Sequence, residues 1–397
     1  MNTSNNHPAI VKVLGIEQFL EGFIPIMALY AIMFERTGGL NFEQIGALFS
    51  IWSITYLLFE LPSGVLADYW SRKKLIALGG VARAVGFLIW ILYPSFTGYA
   101  IGFACWGVQI AFSSGSVSAL LENELKATKM DKSFTKYYGW ITSSFWTGIL
   151  IGHILSALLT LNNAELLIQL SIASSLLYAV VMLASHESPY DKRGSYLGTL
   201  KAGVQDVRRS KELQILGFIL FSVYMIIGVL EELLPRLYAQ FGLNDSGVSM
   251  ALSVALLLTI FVVAKLEKTV RFSIAKQLGM MIAGLVILLL GLYTQGLSGV
   301  ALVMLFSLIF QLFRPLFQNH VVKATKSAEK ATVTSIPGLA GGVVGAVAYV
   351  VIGILSRGFG EVGSIALYTA FWLAVLCVTV LHITARTRDN NNTTDPD

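Results

Sequence analysis

Long apolar runs alternate with short polar interruptions along the whole chain. Twelve such runs can be marked, at roughly 10–34, 43–66, 74–94, 98–121, 138–161, 165–185, 212–234, 246–264, 274–294, 298–322, 332–356 and 363–385. Each is close to the ~20 apolar residues that carry a helix through bilayer hydrocarbon. Strands of a membrane barrel would be about ten residues long and alternate in polarity. Inside hydrocarbon every backbone group must be paired within the protein, so runs of this length predict helices. The longest polar interruption, 186–211, divides the runs six and six. The expected organisation is a six-helix bundle over 1–185, a linker over 186–211, a second six-helix bundle over 212–386 and a disordered polar tail over 387–397. Within the linker, Leu197, Leu200, Val204 and Val207 recur at helical spacing, while Lys201, Arg208 and Arg209 fall largely elsewhere. That pattern predicts a short amphipathic helix on the membrane surface.

Composition agrees with the pattern and excludes whole classes of function. Hydrophobic residues make up 55% of the 397 residues and charged residues 13%, with a mean hydropathy of +0.70. A soluble domain runs near a quarter charged. A soluble enzyme, a nucleic-acid-binding domain and a disordered chain are therefore excluded. The net charge of +5 is small, but its placement is informative. Of the 28 Lys and Arg residues, 23 fall in the terminal segments, the linker and the even-to-odd connections. Arg36, Arg236 and Arg357 fall on the other side, and Arg83 and Arg314 lie within runs. This asymmetry predicts cytoplasmic termini and linker, in a multi-pass protein of the plasma (inner) membrane. The first nine residues carry no basic region or cleavage pattern, so no removable signal peptide is expected. Cys105 and Cys377 sit inside apolar runs and read as buried thiols, not a disulfide or zinc site. No phosphate-cradling Gly-rich loop, no His-Glu-x-x-His and no nucleophile–base pair is visible. The reading is of a protein that is not an enzyme and needs no cofactor or metal.

One connection carries a distinct motif. After run 2 the chain reads Gly64-Val65-Leu66-Ala67-Asp68-Tyr69-Trp70-Ser71-Arg72-Lys73-Lys74. Gly64 permits close approach of two helices. Asp68, at a helix end beside three cations, is placed to accept charge-assisted hydrogen bonds from Arg72 or a neighbouring helix N-terminus. Gly64, Asp68, Arg72 and Lys73 are thus read as a conformational clasp between the two halves. The segment resembles the loop 2–3 signature of the major facilitator superfamily, G-x-L-A-D-R-x-G-R-K, and departs from it at Tyr69 and Ser71. A worn echo, Lys265-Leu266-Glu267-Lys268, falls at the matching place in the second half. The resemblance implies an all-α integral membrane protein with twelve transmembrane helices in two pseudo-symmetric six-helix bundles. It further implies a monomer with a central cavity, lined by helices 1, 4, 7 and 10, that opens alternately to each side.

Polar side chains within the runs are costly and hence functional candidates. Run 1 carries Glu17 and Glu21 on one helical face. Desolvation and mutual repulsion both disfavour a doubly charged pair. The pair is read as a proton- or cation-handling site, against the alternative of a static network neutralised by an arginine. Run 10 carries Gln311 and Arg314, then Pro315. Arg314 is the natural counter-charge or an anchor for an anionic substrate group. Gln109 in run 4 and Glu231 in run 7 complete the expected substrate cavity, with Glu232 beside the latter. Glu122 and Glu124 are expected to pair with the basic loops. Arg83 receives no role, although a buried pair with Glu60 is one reading. His153 is a proton-relay candidate or a helix-bonding residue. Gly148 and Gly152 in run 5, and Gly338, Gly341, Gly342 and Gly345 in run 11, are expected to allow tight packing. Proton-linked exporters of the family often carry Gly-x-x-x-Gly-Pro in run 5 and an Arg in run 4. Here His153 follows Gly152, and run 4 has Trp106-Gly107.

The expectation is a secondary active transporter that exports a small amphiphilic compound, drug-like or siderophore-like, in exchange for protons. The alternative is an importer of a specific solute, by proton coupling or uniport. A scaffold or receptor that lost transport is a third reading, opposed by the expense of idle membrane charges. The partners expected are the substrate, protons and the lipid bilayer, with no nucleic acid.

Overall fold

A computed structural model describes residues 9–114, 116–130, 133–187, 196–269, 274–325 and 330–392. Among them the secondary structure is entirely helical. The N-terminal half holds α1 (Ala9–Gly22), a 3₁₀ turn (Pro25–Ala28), α2 (Tyr30–Gly38), α3 (Phe42–Tyr69), α4 (Arg72–Leu92), α5 (Phe96–Ser113), α6 (Ser116–Ala127), α7 (Phe134–Leu159) and α8 (Ala164–Ala184). The linker contributes α9 (Tyr196–Arg209). The C-terminal half holds α10 (Lys211–Gln240), α11 (Asp245–Thr269), α12 (Ile274–Thr294), α13 (Gly296–Ala324) and α14 (Lys330–Asn392). Helix starts follow ordinary capping: Asn41 and Gln44 form a reciprocal capping box on α3, and Ser71, Ser95 and Ser210 cap α4, α5 and α10.

Among the described residues ten segments are long and apolar enough to cross a bilayer. The difference from the twelve runs has local causes. The first run is not one helix: α1 stops at Gly22, and Pro25, which lacks an N–H, opens the 3₁₀ turn. The fourth run is divided between α5 and α6 at Ser114 but still makes one of the ten segments, Phe96–Ala127, and does not change the number. The last two runs form one element, α14, interrupted at Gly360. Gly360 has φ 71° and ψ 173°, a conformation that an L side chain rarely adopts. The chain doubles back there, because Tyr349 before the break and Tyr368 after it both bond α10, at Gly228 O and Met225 O, 2.8 Å each. The helix continues to Asn392, so 387–392 of the expected disordered tail is helical.

Within the N-terminal half α4 packs on α5 and α8, and α1 on α7 and α8; in the C-terminal half α10 packs on α13 and α14. The halves meet along α3 with α14 and α7 with α11. Large apolar side chains such as Leu58, Leu158, Phe261 and Val378 are exposed on the outer faces. In water such a surface would aggregate, whereas in hydrocarbon it is solvated. We call the end carrying the α6–α7 connection and the linker the linker end, and the opposite end the hairpin end.

Candidate functional site

The break after Gly22 exposes backbone groups that a continuous helix would have paired. In a membrane these groups need partners from neighbouring helices. Ser174 of α8 donates to Leu20 O, at 2.5 Å. Ser156 of α7 donates to Pro25 O, and Ile26 N–H donates to Ser171 Oγ at 3.4 Å. Arg83 of α4 donates from Nη1 to Glu21 O at 2.8 Å and from Nη2 to Leu20 O at 3.5 Å. A cation at the C-terminal end of a helix is favoured by the helix dipole. The guanidinium is 1% exposed, also donates to Ser175 Oγ at 2.8 Å, and lies over the Tyr178 ring, 5.0 Å from its centroid.

The two carboxylates of α1 lie at this break. Gln18 donates to Glu17 Oε2 at 3.2 Å and also to Glu21 Oε2. Gln109 of α5 donates to Glu21 Oε1 at 2.6 Å and to Ser113 Oγ at 3.1 Å. Glu17 is fully buried, and its Oε1 has no hydrogen-bond partner among the described residues. Two acids, two amides and one arginine thus share a polar cluster in which Glu17, Gln109 and Arg83 are buried and Gln18 and Glu21 half-buried. Arg83 interacts electrostatically with both acids, although its hydrogen bonds go to backbone carbonyls and not to the carboxylates.

A second cluster lies on α10 and α13. Gln311 donates to Glu231, so two residues expected to line the cavity do meet. Gln318 donates to Tyr224 Oη at 2.6 Å. Tyr30 of α2 crosses between the halves and donates to Glu232. Its ring is held by Phe34, Phe49, Trp90, Phe103 and Trp106, with centroids 5.6–6.2 Å away. Edge and tilted contacts of this kind hold an aromatic ring in a defined orientation.

At the hairpin end, ion pairs join the halves. Arg36 pairs with Asp245 at 2.8 Å, Arg236 with Glu35 at 2.8 Å and Arg357 with Glu43 at 2.6 Å. Arg236 also grips Glu361 within the C-terminal half, and its guanidinium stands 5.5 Å from the Phe42 ring centroid. Leu161 N–H donates to Asp245, Ser246 to Ala157 O, and Ser50 to Ala346 O. These contacts between the halves gather toward the hairpin end.

Several expectations change. Arg83 does not pair with Glu60, which instead accepts from Ser114 at 3.0 Å. Gln109, expected in the substrate cavity, is 1% exposed and bonded to Glu21 within the carboxylate cluster. The side chain of Arg314 lies outside the described residues, as do those of Gly64 and Asp68. Arg72 N–H donates to Glu187 Oε1 at 3.0 Å and its side chain reaches Ala119 O, while Lys73 donates to Ser185 O. These partners all precede α9. Glu122 pairs with Lys126 at 2.8 Å. His153 is buried, and its Nδ1 has no hydrogen-bond partner among the described residues. A Cβ added at Gly148 would strike the α1 backbone at Phe19 O, while one added at Gly338, Gly341, Gly342 or Gly345 would meet only side-chain atoms of Tyr224, Leu57 and Val229, at 3.3–3.8 Å. Among the described residues no group of three His, Cys, Asp or Glu side chains could hold a metal ion. The break, Arg83, Tyr30 and the ion pairs were not assigned from sequence. Gly22 and Pro25, interrupting an apolar run, are the signal that would have located the break.

The chain is similar to known transporters along most of its length. The inner membrane transport protein YajR of Escherichia coli is 22% identical over 334 residues, covering 82% of this chain and 70% of that protein. An uncharacterized transporter from Methanocaldococcus jannaschii, MJ1560, is 29% identical over 136 residues, 34% of each chain. The solved structure of the nucleoside transporter NupG superposes with a TM-score of 0.74 at 14% identity, covering 95% of this chain and 98% of that one. The sequence profile of the Major Facilitator Superfamily matches residues 18–349. A motif-bearing loop, a wholly helical two-seam architecture and a profile match over most of the chain agree: this protein belongs to the major facilitator superfamily.

Proposed function

We propose that the protein is a proton-coupled secondary transporter that exports a small amphiphilic compound by alternating access. Glu17 carries the proposal: a fully buried carboxyl with an unpartnered oxygen, four residues from Glu21 and beside a break in α1. A carboxyl so placed is suited to take up and release a proton as its surroundings open and close. The C-terminal end of a broken helix is also where a transporter can hold Na⁺. Here Leu20 O and Glu21 O already accept from Arg83, which favours the proton as coupling ion. Gln109 orients Glu21, while Glu231, Gln311 and Arg314 offer polar contacts to the substrate. Both termini face the cytoplasm on the charge asymmetry, which makes the linker end the inner face. The ion-paired hairpin end is then a closed outer gate, and the motif of Gly64, Asp68, Arg72 and Lys73 closes the inner face in the opposite state. The unit of function is the monomer, in the inner membrane.

The polar row of Gln311, Gln318, Tyr224 and Glu231 favours a second reading, import of a polar solute. The test is proton movement in sealed proteoliposomes containing a pH-sensitive dye, with pooled candidate compounds. Export in exchange for protons moves substrate and protons in opposite directions, and symport moves them together. Substrate-triggered proton flux that Glu17→Gln and Glu21→Gln lose is the expected result. Labelled compounds crossing with no proton movement would overturn proton coupling.

A further inference from the structure

A groove of about 640 Å³ runs between the start of α10 and the second arm of α14. Its two ends differ in chemistry. Lys211, Gln214 and His382 stand at the linker end, where the membrane segments Lys211–Gln240 and Ile336–His382 begin and finish. Phe218, Phe371 and Val378 line the part that runs into the apolar segments, and they are 43%, 59% and 65% exposed. Gln214 Nε2 donates to Arg208 O at 2.9 Å, which holds the basic end of α9 at the groove mouth. Arg208 and Arg209 are both exposed there, with the acids Asp206 and Glu212 nearby in the chain. A groove with cations at the membrane boundary and an apolar wall in the hydrocarbon matches a molecule with an anionic head and long apolar chains. A water-soluble anion would gain nothing from the wall, and a neutral lipid nothing from the cations.

We infer that this groove is a binding site for one anionic phospholipid, its phosphate held by Lys211 and His382 and an acyl chain laid along Phe218, Phe371 and Val378. Basic pockets between transmembrane helices at the cytoplasmic face recognise lipid headgroups in this way. The inference rests on membrane insertion and is independent of what is transported.

Native mass spectrometry of the full chain in detergent, offered phosphatidylglycerol and phosphatidylcholine with the same acyl chains, tests it. One phosphatidylglycerol should be retained in preference. Lys211→Ala should weaken that lipid about fivefold, the effect of one boundary cation, and leave phosphatidylcholine unchanged. Lys74→Ala, an exposed cation on α4, should change neither. Equal retention of the two lipids would overturn the inference. So would unaltered phosphatidylglycerol binding in the Lys211→Ala/His382→Ala variant. Displacement of the lipid by glycerol phosphate at matched concentration would make this a phosphate site and overturn the lipid assignment.

Discussion

Arg83 donates to two carbonyls at the end of α1 and to Ser175. Hydrogen bonds to a charged group contribute roughly 1.5–3 kcal/mol each. Arg83→Gln should therefore lower the apparent melting temperature of the purified protein and abolish transport. Arg83→Lys should recover part of each, since an ammonium keeps the charge but not the planar fork. Thermal unfolding in detergent is the check, and a melting temperature unchanged in Arg83→Gln would show that the break is held by other groups. Polarity alone was enough to select Glu17, Glu21 and Gln109 from the sequence. It could not supply their neighbours. Arg83 was offered only Glu60 as a partner, because its depth within an apolar run says nothing of which helix it faces. Its partners are backbone carbonyls, which carry no sequence signature until the helix is known to stop.

At the scale of elements, α1 and α7 approach closely enough that side chains are excluded. A Cβ on Gly22 would collide with Phe145 O, and one on Gly148 with Phe19 O. Gly148→Val should separate the helices and reduce the yield of folded protein, read as monodisperse material on size exclusion. Gly139→Val, on the same helix with nothing within 4 Å, should leave the yield at the parent level. Equal yields would mean that α1 can shift without cost. The apolar runs were legible in the sequence because length and hydropathy alone decide them. The break in the first run and the division of the fourth were hidden for the same reason, since apolar content continues across both. The small-residue rule located Gly148 correctly against a backbone. It did not separate that glycine from the Gly338–Gly345 series, whose neighbours are side chains. Partner identity is a property of packing and not of spacing.

For the whole molecule, the ion pairs across the hairpin end must hold the halves yet be reversible. Arg36 and Glu35 are each 52% exposed at the side chain, while their partners Asp245 and Arg236 are 13% and 5% exposed. Exposed pairs contribute about 0.2–1 kcal/mol, a range that suits Arg357–Glu43 at 70% and 28% and the open side of Arg36–Asp245, whereas buried Arg236 is held more firmly by two acids. Differences of this size leave a second conformation populated, and binding of a proton or substrate can shift it. A double-mutant cycle on Arg36 and Asp245, read on the population open at the hairpin end, should give a coupling of about 0.2–1 kcal/mol. At about 1 M salt the screening length falls to roughly 3 Å, so salt should raise that population. The loop motif made the family legible, as the profile match over residues 18–349 shows. The closed end was not, because Arg36, Arg236 and Arg357 look in sequence like scattered loop charges until their acids are brought across from the other half.

The central claim is that protonation at Glu17 and Glu21 shifts the halves between two arrangements. Distances between spin labels test it directly, in a Cys105→Ser/Cys377→Ser background. One pair is placed at Tyr93 and Tyr293, 67% and 86% exposed at the hairpin end, and the other at Lys74 and Lys276 near the linker end. Across a pH titration in nanodiscs, the two distances should change in opposite senses, one end widening as the other closes. The Glu17→Gln/Glu21→Gln variant should lose that response. Distances that stay fixed at every pH, or that move identically with and without the two carboxylates, would contradict the account.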